Sequence, residues 1–256
     1  MSSVHITGSN DGLGRDAARR LVDDGHRVVG HARSTEKADA LRRELPGLAD
    51  VLVADLSSAT QVRRLAQEAD AIGTFDAVIH NAGIGCRETG RNATEDGHAR
   101  TLAFNALAPY LLTAPMEPAG RLVYLTSGLH EQGEAGLEDL DWIERSWDGR
   151  QAYADSKLFD ATPAAAMARR RPDTVATSVT PGWVATKMGG AGAPDDLEAG
   201  SITQAWLAVS DDPGALHSGA LPYHQAPRHA HPAVADEAFQ DRLLDAFAQL
   251  TGVSMP

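Results

Sequence analysis

Lysine is nearly missing from this chain. Of 256 residues only three are lysines (Lys37, Lys157 and Lys187), although Lys and Arg together number 23. Positive charge is short as a whole, since 35 Asp and Glu leave a formal net charge of −12. That balance argues against a nucleic-acid surface, which needs clustered excess cations. Cysteine is represented once, by Cys86. A lone thiol forms no internal disulfide and no cysteine zinc cage, so a reducing compartment, the cytoplasm, is expected. No apolar run reaches the length of about eighteen residues that a membrane span requires. Met1-Ser2-Ser3 passes straight into an apolar run at Val4, so no signal peptide is expected. What remains is ordinary for a globular protein: 43% hydrophobic and 23% charged residues, in a length suited to one domain with a substantial core.

Short apolar runs alternate with longer amphipathic stretches. Strands are expected at Val4–Thr7, Arg27–Ala32, Val51–Ala54, Asp76–His80, Arg121–Thr126, Val175–Val179 and Gly219–His224. Helices are expected near 13–24, 36–45, 58–70, 95–113, 151–170 and 197–209. Continuously apolar strands, each followed by a helix, indicate a parallel sheet covered on both faces, hence one α/β domain over 1–256. The Gly/Ala/Pro-rich stretch 189–196 reads as a mobile loop, and 128–149 as a polar irregular insertion.

Chemistry concentrates in a few places. Between the first strand and first helix stands Thr7-Gly8-Ser9-Asn10-Asp11-Gly12-Leu13-Gly14. Glycines there permit a tight turn and let backbone N–H groups approach a pyrophosphate at a helix N-terminus, although a plain strand-to-helix turn has the same spacing. The second strand ends in His31-Ala32-Arg33-Ser34 with no acid before Glu36. An arginine there suits a ribose 2′-phosphate, whereas a carboxylate would suit a free 2′-hydroxyl, so NADP(H) is favoured over NAD. Tyr153 and Lys157 are four residues apart on an expected helix and so share one face. With 4 Tyr and 3 Lys in the chain, that pair is expected by chance only about 0.05 times. A cation beside a phenol stabilises phenolate and makes the tyrosine a usable proton donor or acceptor near neutrality.

Taken in order, Gly8/Gly12/Gly14, Asn81-Ala82-Gly83, Asn105, Ser127, Tyr153-x-x-x-Lys157 and Pro181-Gly182-x-x-x-Thr186 resemble the short-chain dehydrogenase/reductase family along essentially the whole chain. The long interval from Ser127-Gly-Leu-His130 through Glu138-Asp139-Leu140 to Tyr153-Ala-Asp-Ser-Lys157, with Thr94-Glu-Asp-Gly97 upstream, is similar to its retinol-dehydrogenase and protochlorophyllide-reductase-like branch. The resemblance implies a doubly wound, three-layer Rossmann fold with a seven-stranded parallel sheet. It implies Tyr153 as the proton-transfer residue, Lys157 lowering its pKa and holding the nicotinamide ribose, Ser127 hydrogen-bonding the substrate oxygen, and Asn105 holding a relay water. The implied cofactor contacts are the Gly8–Gly14 turn with Ser9, Asn10 and Leu13; Asp55 and Leu56 near adenine; Asn81, Ala82 and Gly83; and Pro181, Gly182, Val184 and Thr186 near the carboxamide. Trp183 and Met188 fall where the family's substrate loop begins, and His130 follows Ser127 closely enough to line the pocket or to hydrogen-bond locally.

The chain also departs from the family pattern. The segment from Asn105 to Ser127 is short, so the helix that commonly forms the family's dimer or tetramer bundle is truncated and the oligomeric state is left open. Pro163 sits ten residues beyond Tyr153 in the same expected helix and should kink or end it. Asp11 stands where some NADP-dependent members carry a basic residue. Trp142 and Trp147 could roof the site or pack the insertion onto the sheet edge. His224, His229 and His231 lie in a Pro-rich stretch without Cys or a clear carboxylate set, so no metal site is expected. An NADP(H)-dependent oxidoreductase of a small-to-medium hydrophobic carbonyl or alcohol fits this pattern best. A non-catalytic nucleotide-sensing or scaffold protein and a sugar-nucleotide epimerase-type enzyme are the alternatives.

Overall fold

Six short, apolar strands pair in parallel, as their two-sided hydrophobicity requires. A computed structural model describes residues 1–255. Its main sheet contains β1 (Ser3–Ile6), β2 (Arg27–Ala32), β3 (Asp50–Val53), β4 (Ala77–His80), β5 (Arg121–Leu125) and β6 (Val175–Val179), in the order β3-β2-β1-β4-β5-β6. Strand order reverses between β1 and β4, and in such sheets the crevice at that switch point is where ligands sit. Side chains alternate across the sheet, so Val4, Ile6, Ala77, Ile79, Val123 and Leu125 face one helical layer. That layer is α1 (Gly12–Asp23), α2 (Thr35–Glu44) and α7 (Leu197–Val209). Val29, Val78, Leu122 and Tyr124 face the other, formed by α3 (Ala59–Ile72), α5 (Ala108–Thr113), α6 (Gly149–Arg170) and α9 (Glu237–Thr251). The result is a Rossmann-like three-layer α/β fold.

The expected seventh strand is not a member of this sheet. Gly219–Tyr223 does run beside β6, since Gly219 donates to the Ala176 carbonyl, Ser178 to Ala220 and Thr180 to Pro222. A continuing parallel ladder would next require residue 222 to donate to Ser178, and Pro222 has no N–H. The segment instead folds into a two-residue antiparallel pair, β7 (Pro222–Tyr223) with β8 (Ala226–Pro227).

Pro163 does not end its helix either. α6 begins at the Asp148 cap, whose carboxylate accepts from the N–H groups of Arg150 and Gln151, and continues through Pro163 to Arg170. The proline is buried, so packing of the helix between sheet and α9 outweighs one missing hydrogen bond. The helix expected over 95–113 is shorter and interrupted. It starts as α4 (Arg100–Leu102), widens into a π turn at Ala103–Leu107 and resumes as α5. Gly97, at φ +87°, sits in a turn that closes 94–97 and keeps those residues out of the helix. The C-terminal α8 (Pro232–Ala235) and α9 then lie over α6 and α5, with Phe239, Leu243, Leu244 and Phe247 buried.

Candidate active site

The loops after β1 and β4 are bound to each other at the switch point. Asn81 Nδ2 donates to the carbonyls of Thr7 (2.9 Å) and Gly8 (3.3 Å), and the Ala82 N–H donates to Thr7 Oγ1. This close approach demands glycine. A Cβ on Gly14 would stand 2.2 Å from Asn81 Nδ2 and 2.5 Å from the Gly8 carbonyl, while Gly8 itself has φ +66°. Ser9 is buried and its hydroxyl is spent on the backbone of His31, so this residue braces the turn from beneath. Leu13 contributes by packing against the apolar layer of α1 and α7. The role of His31 is visible only in the fold. Buried at the end of β2, its Nδ1 accepts the Gly8 N–H at 3.0 Å and its Nε2–H donates to the Ala54 carbonyl. Burial pushes its pKa down to about 4, which keeps it neutral, as an acceptor for Gly8 must be.

Two features of the crevice fit a nicotinamide dinucleotide. Gly12, at φ +52°, opens α1 with nothing but the Thr186 side chain near its Cβ position, so a pyrophosphate can approach the helix N-terminus directly. Arg33 is exposed at the end of β2 and has no ion-pair partner among the described residues. Ser34, next to it, caps α2 and holds the chain at that point. Asp11 caps α1 through the Gly12 N–H and pairs with Lys187, so its negative charge is already met by a cation. Asp55 turns on itself, accepting from the N–H and hydroxyl of Ser57, and Leu56 is buried in the core.

The four residues singled out for chemistry gather at the carboxyl ends of β4 and β5. Lys157 on α6 is riveted to β5: its Nζ donates to the Leu125 carbonyl (2.7 Å), and its own carbonyl accepts from Thr126 Oγ1 (2.6 Å). Ser127 is the next residue and caps a short 3-10 turn over Gly128–Gln132. Asn105 stands in the π turn, with both poles of its amide engaged. Oδ1 accepts from Ile84 N (2.8 Å), and Nδ2 donates to Ile84 O (3.1 Å) and Ser156 Oγ (3.0 Å). π turns recur at functional sites because they re-aim side chains and main chain within a helix. A Cβ on Gly83 would be 3.5 Å from both Asn105 Oδ1 and Lys157 Nζ, which shows how tightly these groups converge. Tyr153 lies one turn upstream of Lys157, 8% exposed.

At the rim, local hydrogen bonding is the one of the two readings of His130 that the structure bears out. His130 does not line the pocket: it is fully buried, its Nδ1–H donates to the Ser127 carbonyl (2.6 Å) and its Nε2 accepts from the His231 N–H. Both nitrogens are spent, and the ring ties Ser127 to the C-terminal segment. Trp183 and Met188 stay exposed, at 60% and 44%. Val184 is buried and pairs with Asp195, and Gly182 (φ +86°) leaves no room for a Cβ against Asp195, so Pro181–Thr186 is a defined loop. The insertion packs on residues 86–99 and not on the sheet edge. Trp147 Nε1 donates to the Glu88 carbonyl, Trp142 and Trp147 meet edge-on at 5.5 Å, and the Asp141 carboxylate takes both the Ala99 N–H and His98 Nδ1 at 2.7 Å.

Comparison with known proteins agrees with this arrangement. The short chain dehydrogenase family model matches residues 2–138. Short-chain dehydrogenase chyC of Penicillium rubens is 41% identical over 260 residues, covering 100% of both chains. Human retinol dehydrogenase 14 is 33% identical over 73% of this chain and 63% of its own. Among solved structures, an uncharacterised protein of Mycobacterium paratuberculosis superposes with TM-score 0.87 at 28% identity, covering 100% of this chain and 95% of that one. A blue fluorescent protein from a metagenomic library, in complex with NADPH, gives TM-score 0.70 at 25% identity, covering 87% and 95%. Together with the glycine turn, the switch-point crevice and the Tyr153–Lys157 helix, these likenesses establish that the chain belongs to the short-chain dehydrogenase family and is an oxidoreductase enzyme.

Proposed function

We propose that the enzyme interconverts a carbonyl and an alcohol on a small-to-medium hydrophobic substrate, using NADP(H), as one domain over residues 1–256 working in the cytoplasm. The observation that carries this reading is the convergence of Asn105 and Lys157 on Gly83, with Ser127 two residues beyond the Leu125 carbonyl that Lys157 holds and Tyr153 one helical turn before Lys157. The turn Gly8–Gly14 and α1 would hold the pyrophosphate, Arg33 the 2′-phosphate, Asp55 and Leu56 the adenine side, Asn81–Gly83 the middle, and Pro181, Gly182, Val184 and Thr186 the carboxamide. When bound, the cofactor supplies or accepts the hydride. Tyr153 gives or takes the proton at the substrate oxygen, and the Lys157 ammonium favours its phenolate form. The Ser127 hydroxyl donates to the same oxygen as charge develops there. The Asn105 amide is fully engaged, so a relay water held at that residue belongs to the main chain of the π turn. Exposed Trp183 and Met188 offer apolar surface to the substrate.

NADP(H)-complexed structural neighbours support the choice of cofactor. The exposed guanidinium of Arg33 favours it too, because a dianionic 2′-phosphate would gain a charge-assisted pair there and a bare hydroxyl would not. A thermal-shift comparison tests this. NADPH is expected to raise the melting temperature more than NADH, and the reverse order overturns the Arg33 assignment. A carbonyl panel run with the preferred nucleotide then tests the reaction. Absence of both nucleotide binding and carbonyl-dependent NADPH oxidation overturns the reading as a whole.

A further inference from the structure

Beneath the site lies a charged pair that proton transfer by Tyr153 does not itself require. Asp160 follows Lys157 by three residues on α6, so the two side chains share a helix face. Its Oδ2 is 3.1 Å from Lys157 Nζ, both residues are buried (2% and 4% exposed), and its Oδ1 has no hydrogen-bond partner. Lys157 Nζ is thus held from two sides, by the Leu125 carbonyl and by this carboxylate. Across from α6, β5 brings up Tyr124, whose hydroxyl shares Thr113 Oγ1 with His80 Nε2 of β4. Tyr124 is neutral because burial drives its pKa up, and His80 is neutral because burial drives its pKa down. Lys157 is therefore the one cation that faces Asp160, and Asp160 the one anion that faces Lys157, among the groups gathered there.

We propose that Asp160 is a positioning residue of the reaction: through Lys157 it fixes where the ammonium stands and how much of its positive charge reaches the Tyr153 phenol. A carboxylate beside the ammonium opposes the field that favours phenolate, so the working acidity of Tyr153 is set by a pair of opposite charges and not by a lone lysine. Burial also lifts the Asp160 carboxyl to about 6, against the pull of Lys157, so above that pH it is ionised and its charge is present to oppose the ammonium.

The inference rests on Tyr153 and Lys157 being the proton-transfer pair, and its test separates the two. Tyr153→Phe with unchanged turnover sinks the pair itself. With Tyr153→Phe inactive, the pH profile of kcat/KM for carbonyl reduction is compared between the wild type and Asp160→Asn, which keeps shape and loses charge. Removing the carboxylate is expected to move the alkaline limb to lower pH by roughly half a unit or more. An unmoved limb in a folded, nucleotide-binding Asp160→Asn protein overturns the proposal. A second measurement does not depend on activity. Lys157→Met alone leaves Asp160 buried and unpaired, so the double variant Lys157→Met/Asp160→Asn is expected to melt above the Lys157→Met single variant. A double variant that melts at or below the single, or fails to fold where the single folds, also overturns it.

Discussion

His31, near the end of β2, and His130, in the 3-10 turn after β5, are both buried, and each has a fixed tautomer because one nitrogen must accept a backbone N–H while the other donates to a carbonyl. Each is spent on backbone groups: one braces the Gly8 turn, the other ties the Ser127 carbonyl to the C-terminal segment. Nothing in a single sequence distinguishes such a brace from a pocket residue, because the distinction depends on carbonyls 23 residues away (His31 to Ala54) and an N–H 101 residues away (His130 to His231). The part proposed for Arg33 rests on its place just after β2 and not on a distant partner. Arg33→Ala is expected to weaken NADPH binding by about tenfold or more, the scale of a hydrogen bond to a charged group. Binding of NADH should hardly change. Equal losses for both nucleotides in a calorimetric titration would show that Arg33 does not contact the 2′-phosphate.

Helices and strands are readable from apolar runs set between breakers and caps: α7 spans Leu197–Val209 as expected, and the expected helix over 151–170 lies within α6, although both are buried on most sides and not along one stripe. Reading failed where a local rule met a tertiary one. Pro163 by the local rule should kink or end α6, yet the buried helix runs through it to Arg170, whereas Pro222 takes a strand out of the sheet by withholding one donor. The insertion 128–149 carried no periodicity, yet it is ordered by carboxylates: Asp139 takes the N–H groups of Ile143, Glu144 and Arg145, Asp155 that of Glu134, and Asp141 that of Ala99. Asp141 is the joint between the insertion and the start of α4, and its hydrogen bond holds the His98 pKa above the ordinary value. Asp141→Ala leaves the buried Ala99 N–H and His98 without their acceptor. A loss of roughly 1–3 kcal/mol is expected, together with faster proteolysis within 128–149. A variant with unchanged melting and unchanged cleavage would show that the Trp142–Trp147 packing alone fastens the insertion.

The whole molecule has covered a face that the family resemblance assigns to oligomers. α9 lies against α5 and α6, Phe247 meets Tyr110 edge-on at 5.4 Å, and the Tyr110 hydroxyl bonds the Val253 carbonyl and Met255 N–H. With that face filled by its own C-terminus, the protein is expected to be a monomer by light scattering; a stable dimer would mean that another surface has taken over. Acid sensitivity is the second property of the whole. His5, His31 and His80 stand on neighbouring strands of one sheet face, and burial lowers their pKa values from 6.5 to about 3, 4 and 3. For a histidine depressed in the folded state, the unfolded chain binds the proton first. Each therefore contributes stability that is present above about pH 6.5 and drains away as the pH falls toward 4 and 3. Asp160 has the opposite sign: raised from 3.8 to about 6, it contributes stability below 3.8 that is lost as the pH rises through 6. Between pH 6.5 and 5 the three buried histidines, joined by His130, outweigh His98 and Asp160, whose raised pKa values act the other way, so the melting temperature is expected to fall steadily on going from pH 7 to pH 5. Protonating His31 in the folded protein would also convert its Nδ1 from acceptor to donor and face it against the Gly8 N–H, so nucleotide affinity should fall only as the pH approaches about 4. A melting temperature that is flat or rising from pH 7 to pH 5 would show that these histidines are not held neutral inside the fold.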